Sequence, residues 1–200
     1  MRSRCLVGSP ASLRSHLPSL VLAMSSLALV ATQGPHALAQ GTFGLSSTSF
    51  HAGGSVGDAQ VFDQAGCKGG NRSPQLSWHD APAGTRSFAL SIVDPDAPGR
   101  GWWHWAVAGI PSSVDRLPEN ASASGYIQKL GAVEARNDFD TDGYGGPCPP
   151  AGKPHHYVIT VYALDTSNLR VAQGRPALMF EHEIDTATLG FARMVVTYGR

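Results

Sequence analysis

From residue 42 onward, apolar positions recur mostly in short runs with a period of two, and glycine and proline close the runs. Such runs predict β-strands, because successive side chains of a strand point to opposite faces. The clearest covers 155–164, with His155, Tyr157, Ile159 and Val161 on one face and His156, Val158, Thr160 and Tyr162 on the other. A second covers 87–93 and sets Phe88, Leu90 and Ile92 on one face, so that Asp94 ends an apolar row. A third, aromatic and β-branched, runs over 102–110 and stops at Pro111. Weaker extended segments are predicted over 41–50 (an edge strand), 73–78, 126–133 and 194–198, and the best helical stretch lies within 177–193. Asp94-Pro95-Asp96-Ala97-Pro98 forces a turn, since two prolines fix φ and remove two donors. Residues 51–75 and 112–125 read as loop, around a short apolar piece at Val61-Phe62. Residues 135–154 form a Gly/Pro/Asp loop of a length that compact domains usually reserve for function.

These elements describe a mainly β chain, and 200 residues suggest one domain. The 23 glycines and 14 prolines favour a turn-rich β architecture over a helical bundle. Fifteen basic residues balance fifteen acidic ones, which argues against a nucleic-acid partner, since such proteins carry a basic stripe. The first forty residues differ from the rest. Arg2, Arg4 and Arg14 precede an apolar run over 17–31, and Ala37-Leu38-Ala39 supplies small residues where a signal peptidase reads. The run is shorter than the roughly 20 apolar residues a membrane span needs. Residues 1–39 are therefore expected to be a secretory signal, cleaved after Ala39, which releases the domain 40–200 as a periplasmic or secreted protein. Export changes the meaning of the cysteines. Cys5 leaves with the signal, and Cys67 and Cys148 most simply form one disulfide, with two separate buried thiols as the alternative. The bond would close a loop of roughly 80 residues, worth roughly 4 kcal/mol at best in the chain-entropy model.

Four constellations carry candidate chemistry. Gly53-Gly54-Ser55-Val56-Gly57 matches a nucleophile-elbow pattern with Asp94 and His155 after it, but no strong strand precedes the serine. Asp138, Asp140, Asp142 and Gly143 match half of a calcium loop whose twelfth position falls on Pro149 where a glutamate is needed. His79, His104, His155 and His156 lie near Asp94 in the pattern of elements but lack zinc-ligand spacing. No metal or cofactor is called for. The fourth reading needs the fewest assumptions: Asp94 ends one strand, His104 sits in the next and His155 begins a third. Gly145, Gly146, Pro147, Pro149 and Pro150 crowd the loop before His155, where glycine amides can approach an anion. Two imidazoles would add donors, and Asp94 would orient one by accepting its N–H.

The same residues carry a family resemblance. Cys67 to Trp78, Asp94-Pro95-Asp96-Ala97-Pro98, Trp102-Trp103-His104-Trp105, Ala135 to Phe139, Gly143 to Pro150 and His155-His156-Tyr157 occur in order. Together they resemble the phosphatidylethanolamine-binding protein family, most of all its bacterial Raf-kinase-inhibitor-like branch. The resemblance implies an antiparallel β-sandwich with Greek-key connections and a few peripheral helices. It also implies a pocket for a small anion or phosphorylated head group, with Asp94, Pro98, His104, Gly146, His155 and Tyr157 as its residues, and without a credible nucleophile or metal set the leading expectation is non-catalytic binding. A protein partner is a second expectation, as is a homodimer paired through a sheet face. For an exported chain the protein partner would be a secreted hydrolase in place of a cytoplasmic kinase. An Asp94/His104 acid–base hydrolase is the third reading. Cys148 stands where animal members have glycine, and Glu181, Glu183 and Asp185 replace an alanine-rich helix, so the rim and the access over that helix depart from the pattern.

Overall fold

In the computed structural model, residues 42–169 and 172–200 are described. The expected signal over 1–39 lies outside them. Among the described residues, eight strands form two antiparallel sheets. The smaller consists of β1 (Gly44–Ser46), β2 (Leu76–His79) and β5 (Arg116–Leu117), in the order β1-β2-β5. The larger is ordered β6-β4-β3-β7-β8, from β6 (Val133–Glu134), β4 (Trp102–Pro111), β3 (Ser87–Asp94), β7 (His155–Leu164) and β8 (Thr188–Tyr198). Read from β7 through β3 and β4 to β6, that order is a Greek key: three strands in succession and a fourth returning beside the first.

The core lies between the sheets. Phe88, Leu90, Ile92, Trp105, Val107, Tyr157, Ile159 and Val161 face Leu76, Trp78 and Leu117, and Trp78 meets Phe88 edge-on at 5.3 Å between centroids. The outer face of the larger sheet is also covered. Helix α2 (Ala177–Ala187) lays Phe180 and Ile184 against Ala89, Ala106 and Ala108, whose small side chains let the helix approach. Burial on both faces explains why β3 and β4 read as near-continuous apolar runs.

Three expectations fail, the first over 112–125, read as loop, which holds the short strand β5 paired with β2. The segment over 126–133, read as extended from Tyr126 and Ile127, instead turns through the single-turn helix α1 (Tyr126–Lys129) before β6 begins at Val133. Gly125 enters that turn at φ 73°, a left-handed geometry that glycine adopts without penalty, and Lys129 N–H closes on Gly125 C=O at 3.2 Å. The helix within 177–193 ends at Ala187, and the last strand starts at Thr188, six residues before the expected 194. Thr188 turns its hydroxyl back to the Ile184 carbonyl at 2.7 Å, and its β-branched backbone is already extended.

Candidate functional site

Asp94, at the end of β3, is buried and splits its two oxygens between two tasks. Oδ1 accepts the Asp96 and Ala97 N–H groups at 2.9 and 3.2 Å, which holds the double-proline turn in place. Oδ2 accepts Nδ1–H of His155, the first residue of β7, at 2.7 Å. Tyr157 follows two positions on, on the same strand face, and its phenol is buried. His104 stands in β4, with its ring edge-on to Tyr157 at 5.1 Å. These side chains line one cavity of about 260 Å³ together with Pro98, Ala97, Trp102, Phe139, Cys148, Pro149 and Pro150. That size lies below the roughly 300 Å³ at which pockets for drug-sized ligands begin.

The electrostatics of His104 follow from its surroundings. Its Nδ1 lies 2.7 Å from the Gly145 carbonyl, an acceptor only, so Nδ1 carries the proton. Gly145 N–H returns a bond to the His104 carbonyl at 2.9 Å, so ring and loop are fixed together. Burial pushes the imidazole down to about 4, against the smaller upward pull of the Gly145 carbonyl and Asp94. The ring is therefore neutral near pH 7, with a bare lone pair on Nε2. Burial also raises the Tyr157 phenol above its usual range, with the Asp94 charge adding to it. That phenol remains a hydrogen-bond donor.

Among the described residues, four buried side-chain polar atoms lack a protein partner: Nε1 of Trp78 and of Trp102, Nε2 of His104 and the Tyr157 hydroxyl. The last three belong to residues lining this cavity. Buried polar groups in folded proteins are nearly always satisfied, so three orphans on residues around one cavity single it out as the candidate site.

Of the residues singled out from the sequence, Asp94, Pro98, His104, His155 and Tyr157 meet in this wall. Gly146 does not. Its N–H donates to Asn71 Oδ1 at 2.8 Å, and a Cβ there would strike the Gln60 and Val61 backbone. Its smallness serves close packing of two loops, and its amide is not offered to an anion. His156 points away, as its strand face requires, and clasps Asp96 Oδ2 through both its backbone N–H and its Nδ1 at 2.7 Å. That clasp holds the carboxyl of Asp96 below its ordinary value. Cys67 and Cys148 are joined in a disulfide, with Cα atoms 6.0 Å apart, and it ties the loop bearing the pocket wall to the glycine-rich loop beneath.

The remaining constellations disperse. Ser55 is exposed and bridges Thr197, and it makes no hydrogen bond to Asp94 or His155 among the described residues. Asp138 accepts Trp103 N–H at 2.7 Å, while Asp140 faces solvent 3.8 Å from Arg136. Among the described residues no group of three or more His, Cys, Asp or Glu is arranged to hold a metal. The sequence reading missed the aromatic part of the wall. Trp102 and Phe139 meet edge-on at 5.3 Å, and Phe139 also stacks on Phe62 at 4.1 Å. Phe139 is aimed by Asn137, whose Oδ1 accepts the Phe139 N–H at 2.9 Å, a loop geometry without a periodic signal.

Comparison with known proteins gives a consistent picture. A sequence model described as "PBP: Phosphatidylethanolamine-binding protein" matches residues 46–199. UPF0098 protein YbcL of Escherichia coli K12 is 41% identical over 159 residues, 78% of this chain and 87% of that protein. UPF0098 protein YbhB of the same organism is 36% identical over 155 residues, 77% of this chain and 98% of its own. LppC of Mycobacterium tuberculosis, whose name proposes a lipoprotein, is 38% identical over 136 residues, 68% of this chain and 64% of its own. The crystal structure of E. coli YbcL, described as a new member of the mammalian PEBP family, superposes with a TM-score of 0.76 at 40% identity, covering 79% of this chain and 98% of that one. The Chlamydia trachomatis homologue CT736 gives 0.67 at 29% identity, covering 79% and 97%.

Proposed function

The chain belongs to the phosphatidylethanolamine-binding protein family, and on that premise we propose that it is an exported, non-catalytic binding protein whose pocket holds a phosphate-sized oxyanion or phosphorylated head group. The observation that carries this reading is the set of three unpartnered buried polar atoms on the residues around the cavity. Two of them, the Tyr157 hydroxyl and the Trp102 indole N–H, are donors suited to anionic oxygens. The third, His104 Nε2, presents a lone pair. A ligand oxygen that carries its own proton satisfies it, so the pocket selects the monoprotonated oxyacid. His155, fixed through its Nδ1–H by Asp94 Oδ2 at 2.7 Å, adds its ring to the same wall. Ala97, Pro98, Pro149 and Pro150 supply apolar rim for the remainder of a head group.

Catalysis is disfavoured because covalent chemistry needs an activated nucleophile, and the sulfur in the wall, Cys148, is engaged with Cys67. Export is supported by the arginine-led apolar run before Ala39 and by that disulfide, which oxidising compartments preserve. The test is an NMR titration with inorganic phosphate and phosphoethanolamine, following the ring signals of His104 and His155. Saturable shifts at millimolar ligand are expected, and unmoved rings at that concentration would sink the proposal.

A further inference from the structure

The opposite face of the larger sheet carries a second cavity, of about 530 Å³. Where α2 covers this face the outward residues are alanines. Beyond the helix they change. The strand register aligns Ser91, Thr160 and Arg193 as one cross-strand row, between a row of Val93, Val158 and Val195 and a row of Ala89, Tyr162 and Phe191. A polar row set between apolar ones on a half-covered sheet face is not required for packing, since valine or alanine would serve there as they do on either side.

The polar row is organised. Arg193 Nε donates to Thr160 Oγ1 at 3.1 Å, and its guanidinium carbon lies 4.9 Å from the centroid of the Phe191 ring. The group is therefore held in place, while its terminal N–H groups have no acceptor among the described residues. Ser91 Oγ and the Tyr162 hydroxyl lie 3.3 Å apart beside it. Arg100, from the turn after Asp94, lines the same cavity without a carboxylate partner among the described residues. One carboxylate, Glu181 of α2, lines the same cavity as these two guanidiniums, and Trp103 and Leu178 supply apolar wall. A guanidinium fork matches a carboxylate or phosphate through two parallel hydrogen bonds.

We propose that this groove is a second ligand site, separate from the Asp94/His104 pocket, which takes a carboxylate or phosphate borne on an apolar body, with Arg193 and Arg100 holding the oxyanion. The probes are benzoate and phenyl phosphate, which share a ring and differ in the oxyanion, with benzyl alcohol as the uncharged counterpart. In ¹H–¹⁵N spectra of the exported protein, Arg193 Nε–H and the Trp103 indole signal should move saturably at millimolar benzoate or phenyl phosphate. The tighter of the two identifies the oxyanion class. Arg193→Gln should weaken binding at least tenfold, and Glu181→Gln, which removes the opposing charge, should strengthen it several-fold. Equal binding of benzyl alcohol, shifts that survive Arg193→Gln, or shifts confined to His104 and His155 would each overturn the groove, and the last outcome leaves the pocket reading intact.

Discussion

The neutral His104 makes a quantitative demand on any anion that enters the pocket. With its imidazole pushed down to about 4, about one molecule in a thousand is protonated there at pH 7. An oxyanion with no proton of its own, such as sulfate, faces the Nε2 lone pair and must first have the ring protonated. At pH 7 that costs about 4 kcal/mol, three pH units at about 1.4 kcal/mol each. Its affinity should therefore rise about tenfold for each unit of acidification between pH 7 and pH 4. A phosphomonoester has a second pKa of about 6, so about a tenth of it carries a proton at pH 7. It loses only about tenfold at that pH, and should outbind a sulfate monoester of the same shape by roughly a hundredfold.

Isothermal titration of O-phosphoethanolamine and O-sulfoethanolamine from pH 5 to pH 8 measures both slopes. His104→Gln is the control. Its amide can rotate to donate whatever the pH, so the steep sulfate slope should flatten while the Tyr157 and Trp102 donors remain. Equal affinities for the two esters at pH 7, or a steep slope that persists in His104→Gln, would refute the assignment of the lone pair to the ligand side.

Further outcomes follow from the same contacts. Glu134 is buried and accepts Trp105 Nε1–H at 2.7 Å, the Ser122 hydroxyl at 2.6 Å and Gln128 Nε2–H at 2.7 Å, joining β4, β6 and α1. Glu134→Ala should cost about 4 kcal/mol in urea unfolding, since donors to a carboxylate are left unpaired in the core, and a loss under about 1 kcal/mol would contradict that account. Replacing Cys67 and Cys148 together by serine should remove up to about 4 kcal/mol, as expected for a closed loop spanning 81 residues in sequence, and should loosen the pocket wall, measured as weaker phosphate binding. His104 is lowered in the folded state, so its stabilising effect is complete above pH 6.5 and is lost as pH falls toward 4. That loss should amount to about 3 kcal/mol in unfolding free energy and should be absent in His104→Phe.

Most of the larger sheet was legible because β3, β4 and β7 are long and bounded by turn residues, and in β3 and β7 the faces could be assigned residue by residue. That assignment placed Asp94, His104, His155 and Tyr157 at strand positions that converge, and it turned His156 away. What escaped has a common physical cause. Tyr126 and Ile127 have extended propensity, but one helical turn is decided by Gly125 and local backbone bonds. Phe139 is aimed by side-chain bonds from Asn137, and Gly146 is placed by packing against a loop some 85 residues earlier in the chain. Each depends on partners that no local periodicity encodes.

The two cavities are consequences of one alternation. On β4, Trp102 and His104 face the pocket while Trp103 between them faces the groove. On β7, His155 and Tyr157 face one side and Val158 and Thr160 the other. The turn joining β3 to β4 does the same: Ala97 and Pro98 line the pocket, and Pro95 and Arg100 the groove. A one-residue slip of this hairpin would exchange every pair, so its register must be held firmly. Asp94 Oδ1 holds the turn from inside through two N–H groups, and the Asp96–His156 clasp holds it from the rim. Asp94 is thus a structural acceptor through one oxygen and the orienter of His155 through the other. Removing its side chain should therefore disturb the groove as well as the pocket, whereas removing the His104 ring acts on the pocket alone.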